Sequence, residues 1–183
     1  MRTPLLISTM ALLLTACAGQ PRRPAGFETY RSATVQVSTG VQQGEPYVQA
    51  LQDRIVMALR ERRVFTAVGA GDDSPAADRL ILQVNITRFV RVHDPLRIAL
   101  GEMAGSNEVG ADITLRDGVT GQVLSTFHLE GESPHYPPHT DWPRGTIEIA
   151  MDRLSQTLAA VLSDWRRAVD AGDSWEADEN SIR

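Results

Sequence analysis

The chain has 183 residues, 18 basic side chains against 23 acidic ones, and a formal charge of -5. That length suits one domain with ends rather than several, and a hydrophobic content of 42% excludes wholesale disorder. The acidic balance argues against a dedicated nucleic-acid binder, which carries a basic domain, and no function follows from the fact that every basic residue is Arg, because codon bias explains it.

Arg2 precedes an apolar stretch from Leu5 to Leu14. At about ten residues it is too short to span a bilayer and fits the hydrophobic region of a secretory signal. Leu14-Thr15-Ala16-Cys17 follows directly. These four residues resemble the lipobox of bacterial lipoproteins, whose Cys becomes the first residue and carries a diacylglycerol thioether and an amide-linked acyl chain such as palmitate. The resemblance implies a signal peptide at residues 1–16 and a lipidated Cys17. Ala18 is not the Asp that the lipoprotein family uses for inner-membrane retention, so the resemblance points to the outer membrane, with the domain facing the periplasm. Two or more acyl chains hold firmly where one is marginal. Cys17 is the sole cysteine, which leaves no disulfide, thiol nucleophile or thiolate metal site. Residues 17–32 read as the lipidated Cys and its tether; the Pro/Gly-rich stretch 18–26 reaches about 30 Å at most.

Residues 33–38 alternate apolar and polar, as a half-buried strand does. Glu45-Pro46 opens a helical stretch to about Arg63, with Pro in the first turn and Val48, Leu51, Ile55, Ala58 and Leu59 on one face. Residues 64–68 form a short extended candidate before a polar loop at 69–77. A long strand runs over 79–92, with Leu80, Leu82, Val84, Ile86, Val90 and Val92 on one face. Its length and the charge of Arg88 on the apolar parity predict a bulge near Arg88. Strands 108–117 and 122–132 follow, the latter with Val123, Phe127 and Leu129 in phase, joined by a Gly-containing hairpin at 117–121. The last helix spans about 143–171, capped by Thr140 or Asp141, with Ile147, Met151, Leu154, Leu158, Val161, Trp165 and Val169 in one stripe. The domain therefore covers 33–172, and 173–183 read as an acidic, disordered tail. The order predicts an α/β (α+β) fold: a two-layer sandwich with a mixed, mainly antiparallel sheet of four or five strands and two helices on one face.

Residues 77–82 (ADRLIL), the loop 100–105 (LGEMAG) and residues 117–124 (DGVTGQVL) together resemble a family of bacterial lipoprotein domains of unassigned function. In architecture this family is similar to the periplasmic domain of the curli-secretion lipoprotein. The resemblance brings no catalytic residues, and fold likeness is a weak warrant for function.

Candidate sites are few. His135, His139 and Asp141 carry metal-ligand chemistry, but a closed site wants four ligands, and Pro137-Pro138 forbids the helical spacing that would put both histidines on one face. His128 on the preceding strand could add another ligand. No G-x-S-x-G elbow accompanies Ser133 and His135, and Gly101, Gly105 and Gly110 lack any phosphate-loop pattern. The strongest candidate is the long 93–107 loop, where Arg91, Pro95, Leu96, Arg97, Ile98 and Leu100, with Arg88 nearby, combine apolar and cationic groups suited to a partner or to anionic headgroups. The expectation is a membrane-anchored, non-enzymatic interaction or assembly module of the cell envelope. It needs no cofactor and no nucleic acid, and meets the membrane through Cys17 and an envelope protein partner. An auxiliary subunit of an envelope transport or secretion system is the alternative; a metal-dependent or hydrolytic enzyme ranks last.

Overall fold

The computed structural model describes residues 21–71, 77–92, 105–134 and 146–170. A 3₁₀ turn at Phe27–Thr29 leads into β1 (Ser32–Thr39); a 3₁₀ helix (Gln42–Tyr47) leads into α1 (Val48–Glu61). Then come β2 (Ala67–Ala70), β3 (Arg79–Val90), β4 (Glu108–Asp117), β5 (Val123–Glu132) and α2 (Ile147–Asp170). The sheet order is β2-β1-β3-β4-β5. β1 pairs in parallel with β2 and β3, while β3–β4 and β4–β5 form the longer antiparallel ladders. Both helices pack on one face and against each other, giving the expected two-layer sandwich. Among the described residues, no helix is long and apolar enough to cross a membrane.

The alternation in β3 explains the core. Leu80, Leu82, Val84 and Ile86 are all fully buried beneath the helices; in register, Leu82 faces Leu115 of β4, Val84 faces Ile113 and Ile86 faces Ala111, all buried too. The expected bulge lies between Ile86 and Arg88. One extra residue moves every later side chain to the opposite face, so Phe89 enters the core instead of the predicted Val90 and Val92. A second register shift, between Leu115 and Arg116, has the same consequence at the start of β5: Val123, expected in the core, is 47% exposed.

Three boundaries also move. Pro46 sits inside the 3₁₀ helix and α1 begins only at Val48; the intervening Tyr47 is held by its ring, 4.9 Å from that of Phe89. The extended candidate at 64–68 becomes β2 two residues beyond Phe65, because Val64 and Phe65 are drawn into the core below the end of α1. The fold also starts before residue 33. Phe27 is 0% exposed, its ring edge-on to Phe65 at 5.9 Å and to Trp165 at 5.5 Å, so the tether ends near Gly26. The predicted α2 cap at Thr140 or Asp141 and the tail at 173–183 lie outside the described residues.

The layers approach closely at Gly131 of β5. A Cβ there would stand 2.0 Å from the Ala150 carbonyl oxygen and 2.7 Å from the Leu154 nitrogen. The α2 backbone therefore rests directly on the sheet, and Ala150, Met151 and Leu154 are buried around this contact.

Strand directions give the sandwich two distinct poles. Ser32, Ala67, Arg79, Asp117 and Val123 end at the pole where the chain enters from residues 21–26; Thr39, Val90, Glu108 and Glu132 end at the other. Along β3 the poles stand about 35 Å apart.

Candidate functional site

The far pole carries the stems of the expected contact loop. Ser133 and Asn107 lock the starts and ends of neighbouring strands together: the Asn107 amide donates to Ser133 Oγ (3.0 Å), the Ser133 amide to the Asn107 carbonyl (2.8 Å), and the Val92 amide to Asn107 Oδ1 (2.7 Å). Ser106 donates its hydroxyl to Glu132 Oε1 at 2.5 Å. Arg91 is tied into this framework, donating to the Tyr47 hydroxyl at 3.1 Å. The Glu148 carboxyl, on the first turn of α2, is held below its usual range. Its own backbone N–H is the main cause, with help from the Thr146 hydroxyl and the fields of Arg54 and Arg91. Pro95, Leu96, Arg97, Ile98 and Leu100 lie outside the described residues, as do Cys17, His135, His139 and Asp141.

His128 is described, on the sheet face away from the helices. Its Nδ1 is 2.8 Å from Asp112 Oδ1 and its Nε2 3.4 Å from Glu130 Oε1. The rest of that face is polar and cross-linked: Ser38 donates to Asn85, the Gln83 amide to Gln36, Arg116 to Gln83, and Arg88 pairs with Glu108 at 2.6 Å. Among the described residues, no three His, Cys, Asp or Glu side chains group so as to hold a metal ion.

The entry pole holds what the sequence reading missed. An open cleft of about 570 Å³ lies between the Phe27–Thr29 turn, the end of α1 and the last turns of α2; Arg31, Arg63 and Arg166 line it, against the single acid Glu28. Arg166 builds one wall. Its guanidinium lies 5.0 Å from the Phe27 ring centroid and 5.5 Å from that of Phe65, and it donates to the carbonyls of Glu28 (3.1 Å) and Tyr30 (2.6 Å).

Arg63 arrives by an unusual route. The Val64 amide bonds back to the Leu59 carbonyl and the Arg63 amide to the Arg60 carbonyl, the paired bonds that close a helix through a left-handed residue. Glycine is the usual occupant of that position, yet here it is Arg63, at φ 52°. A side chain in this region costs about 1–2 kcal/mol. The α1 face ends on Leu59 with no glycine beyond it, and that missing stop signal is the trace the sequence offered.

Asp117 anchors the hairpin at the same pole. Its Oδ1 accepts from the Thr120 amide (2.7 Å), the Thr120 hydroxyl (2.8 Å) and the Val119 amide (3.0 Å), and its Oδ2 from the Tyr30 hydroxyl (2.8 Å). The Thr120 amide, then its hydroxyl, then Tyr30 lower the Asp117 carboxyl to about 2. Burial first and Asp117 second push the Tyr30 phenol up to about 12.

Residues 37–133 match the model of a family described as a domain of unknown function, DUF4410. The chain belongs to that family. In this DUF4410 protein the matched span runs from within β1 to just past β5, so the defining features are the sheet and α1. None of the curated proteins matches the chain. Among solved structures, its fold is similar to that of the PelC dodecamer from Paraburkholderia phytofirmans, at 12% identity and TM-score 0.53 over 74% of this chain and 89% of that one. More distant is the minor lipoprotein from Acinetobacter baumannii, at 14% identity and TM-score 0.43 over 75% of this chain and 95% of that one. At these identities the likeness is one of fold alone.

Proposed function

We propose that this DUF4410 protein is a lipid-anchored module of the outer membrane that faces the periplasm and works by binding and assembly rather than by catalysis. The observation that carries the reading is Leu14-Thr15-Ala16-Cys17 directly after the short apolar stretch, with only nine residues between Cys17 and the start of the fold at Phe27. Acylation of Cys17 holds the entry pole within about 30 Å of the bilayer and concentrates weak binding surfaces there. The far pole, with the stems of the 93–104 and 135–145 segments, then projects toward partners in the periplasm. This geometry favours a protein partner over headgroups for the loop that begins beyond Arg91. The test is fractionation of Cys17→Ala against the native chain, with crosslinking in intact envelopes. The account expects the variant to leave the membrane fraction; a variant that stays there after signal cleavage contradicts it.

A second reading is favoured by the fold's likeness to a protein that crystallises as a dodecamer: this chain acts as a self-assembled, auxiliary subunit of an envelope transport or secretion system. The native mass of the detergent-purified chain tests it, a closed oligomer supporting this reading and a monomer removing it.

A further inference from the structure

We propose that the cleft at the entry pole is a phosphate site that seats the headgroup phosphate of an anionic membrane phospholipid. The chain as a whole is acidic, yet this cleft gathers Arg31, Arg63 and Arg166 against one acid, Glu28, with the Tyr30 and Thr66 hydroxyl residues beside them. The two positions that supply free valence are Arg31 and Arg63. Among the described residues, neither side chain makes a hydrogen bond or an ion pair, whereas Arg166 is spent on the wall carbonyls. Guanidinium groups with open donors match phosphate oxygens in the two-pronged geometry that a phosphate diester offers.

Backbone conformation is an independent observation. A left-handed residue at the end of α1 is best filled by glycine, and this chain keeps a strained Arg63 on the cleft wall instead. Strain of this kind persists where a side chain has work to do.

Location selects the source of the phosphate. Glu28, on the cleft wall, is eleven residues after Cys17. The segment between carries Arg22 and Arg23, and its described part, residues 21–26, is held at the same pole by the Ser125 hydroxyl, which donates to the Arg22 carbonyl at 3.1 Å. The cleft therefore lies at the pole where the chain enters from residues 21–26. Seating a headgroup there would fix the orientation of a domain that a short tether alone leaves free to tumble, and would hold the far pole pointing away from the bilayer. The choice of a lipid as the source rests on the anchor reading above; the phosphate chemistry of the cleft does not.

The test uses the full chain in neutral maltoside micelles, titrated calorimetrically with short-chain phosphatidylglycerol and, separately, with inorganic phosphate. The variants are Arg31→Gln, Arg63→Gln and Arg63→Gly. The native chain should bind the phospholipid, and each variant should lose about tenfold or more in affinity, the effect of removing one charged hydrogen-bond donor. Arg63→Gly should lose affinity while melting at a higher temperature than the native chain, a combination that a structural role for the side chain would not produce. Arg-dependent binding of inorganic phosphate without binding of phosphatidylglycerol overturns the lipid assignment. Phospholipid binding that the three variants leave unchanged overturns the site. Micelles report on the cleft whether or not Cys17 is acylated, and fractionation of Cys17→Ala reports on the anchor alone, so the two readings fail separately.

Discussion

Replacing Gly131 with alanine tests the packing of the two layers where helix backbone rests on sheet backbone. The added Cβ would lie 2.0 Å from the Ala150 carbonyl oxygen, which belongs to helix backbone and cannot rotate away. Ordinary contact needs roughly 3.5 Å, so α2 must retreat from β5 by over about 1 Å. A gap of that size forfeits between a quarter and a half of the dispersion energy along the interface. The α2 side chains buried in the same core are Ile147, Met151, Leu154 and Leu158, each at most 3% exposed. With each worth about 2 kcal/mol when buried, the loss is about 3 kcal/mol, at the upper end for overpacking and a large part of the 5–15 kcal/mol typical of a domain. Urea unfolding followed by far-ultraviolet circular dichroism measures it, with Gly40→Ala as control, since a Cβ at Gly40 meets nothing within 4 Å. A Gly131→Ala variant within about 0.5 kcal/mol of its parent, the range of neutral surface changes, would refute this account of α2 docking.

Other expectations follow from the entry pole. Phe27→Ala should cost about 3–5 kcal/mol, as for other large core aromatics, whereas a tether residue would cost nothing; chemical denaturation decides between them. Arg63→Gly should raise stability by about 1 kcal/mol by relieving the left-handed strain, seen as a higher Tm. Asp117→Asn should destabilise the domain at neutral pH. Because the folded carboxyl is lowered to about 2 from an ordinary 3.8, its contribution is complete above about pH 4 and is lost as pH falls toward 2. The Tm gap between native and variant proteins should therefore close on acidification; a gap undiminished at pH 2 would remove Asp117 as the cause.

The sequence made the sheet legible where alternation was unbroken. Leu80 to Ile86 and Val109 to Leu115 could be assigned to the core because period-two patterning reports burial directly. That signal fails at a bulge: an extra residue near Arg88 was foreseeable from the misplaced charge, but its effect on parity, exchanging Val90 for Phe89, depended on which residue paired with Gly110. Val123 was misassigned for the same reason. The cleft was hidden more deeply. Glu28, Arg63 and Arg166 are far apart in the chain, each beside unremarkable neighbours, and only the packing of the Phe27 turn against α1 and α2 brings them together. The tether boundary was missed because Phe27 and Tyr30 form only one apolar pair, too short a pattern to mark core.

The account's central claim is that acyl chains on Cys17 tether this domain by its basic pole. The mass of the intact protein extracted from membranes measures this most directly. The account predicts a chain beginning at Cys17, heavier than its sequence by a diacylglycerol group and an amide-linked acyl chain. A membrane-extracted chain that retains residues 1–16, or that carries an unmodified Cys17, would contradict it.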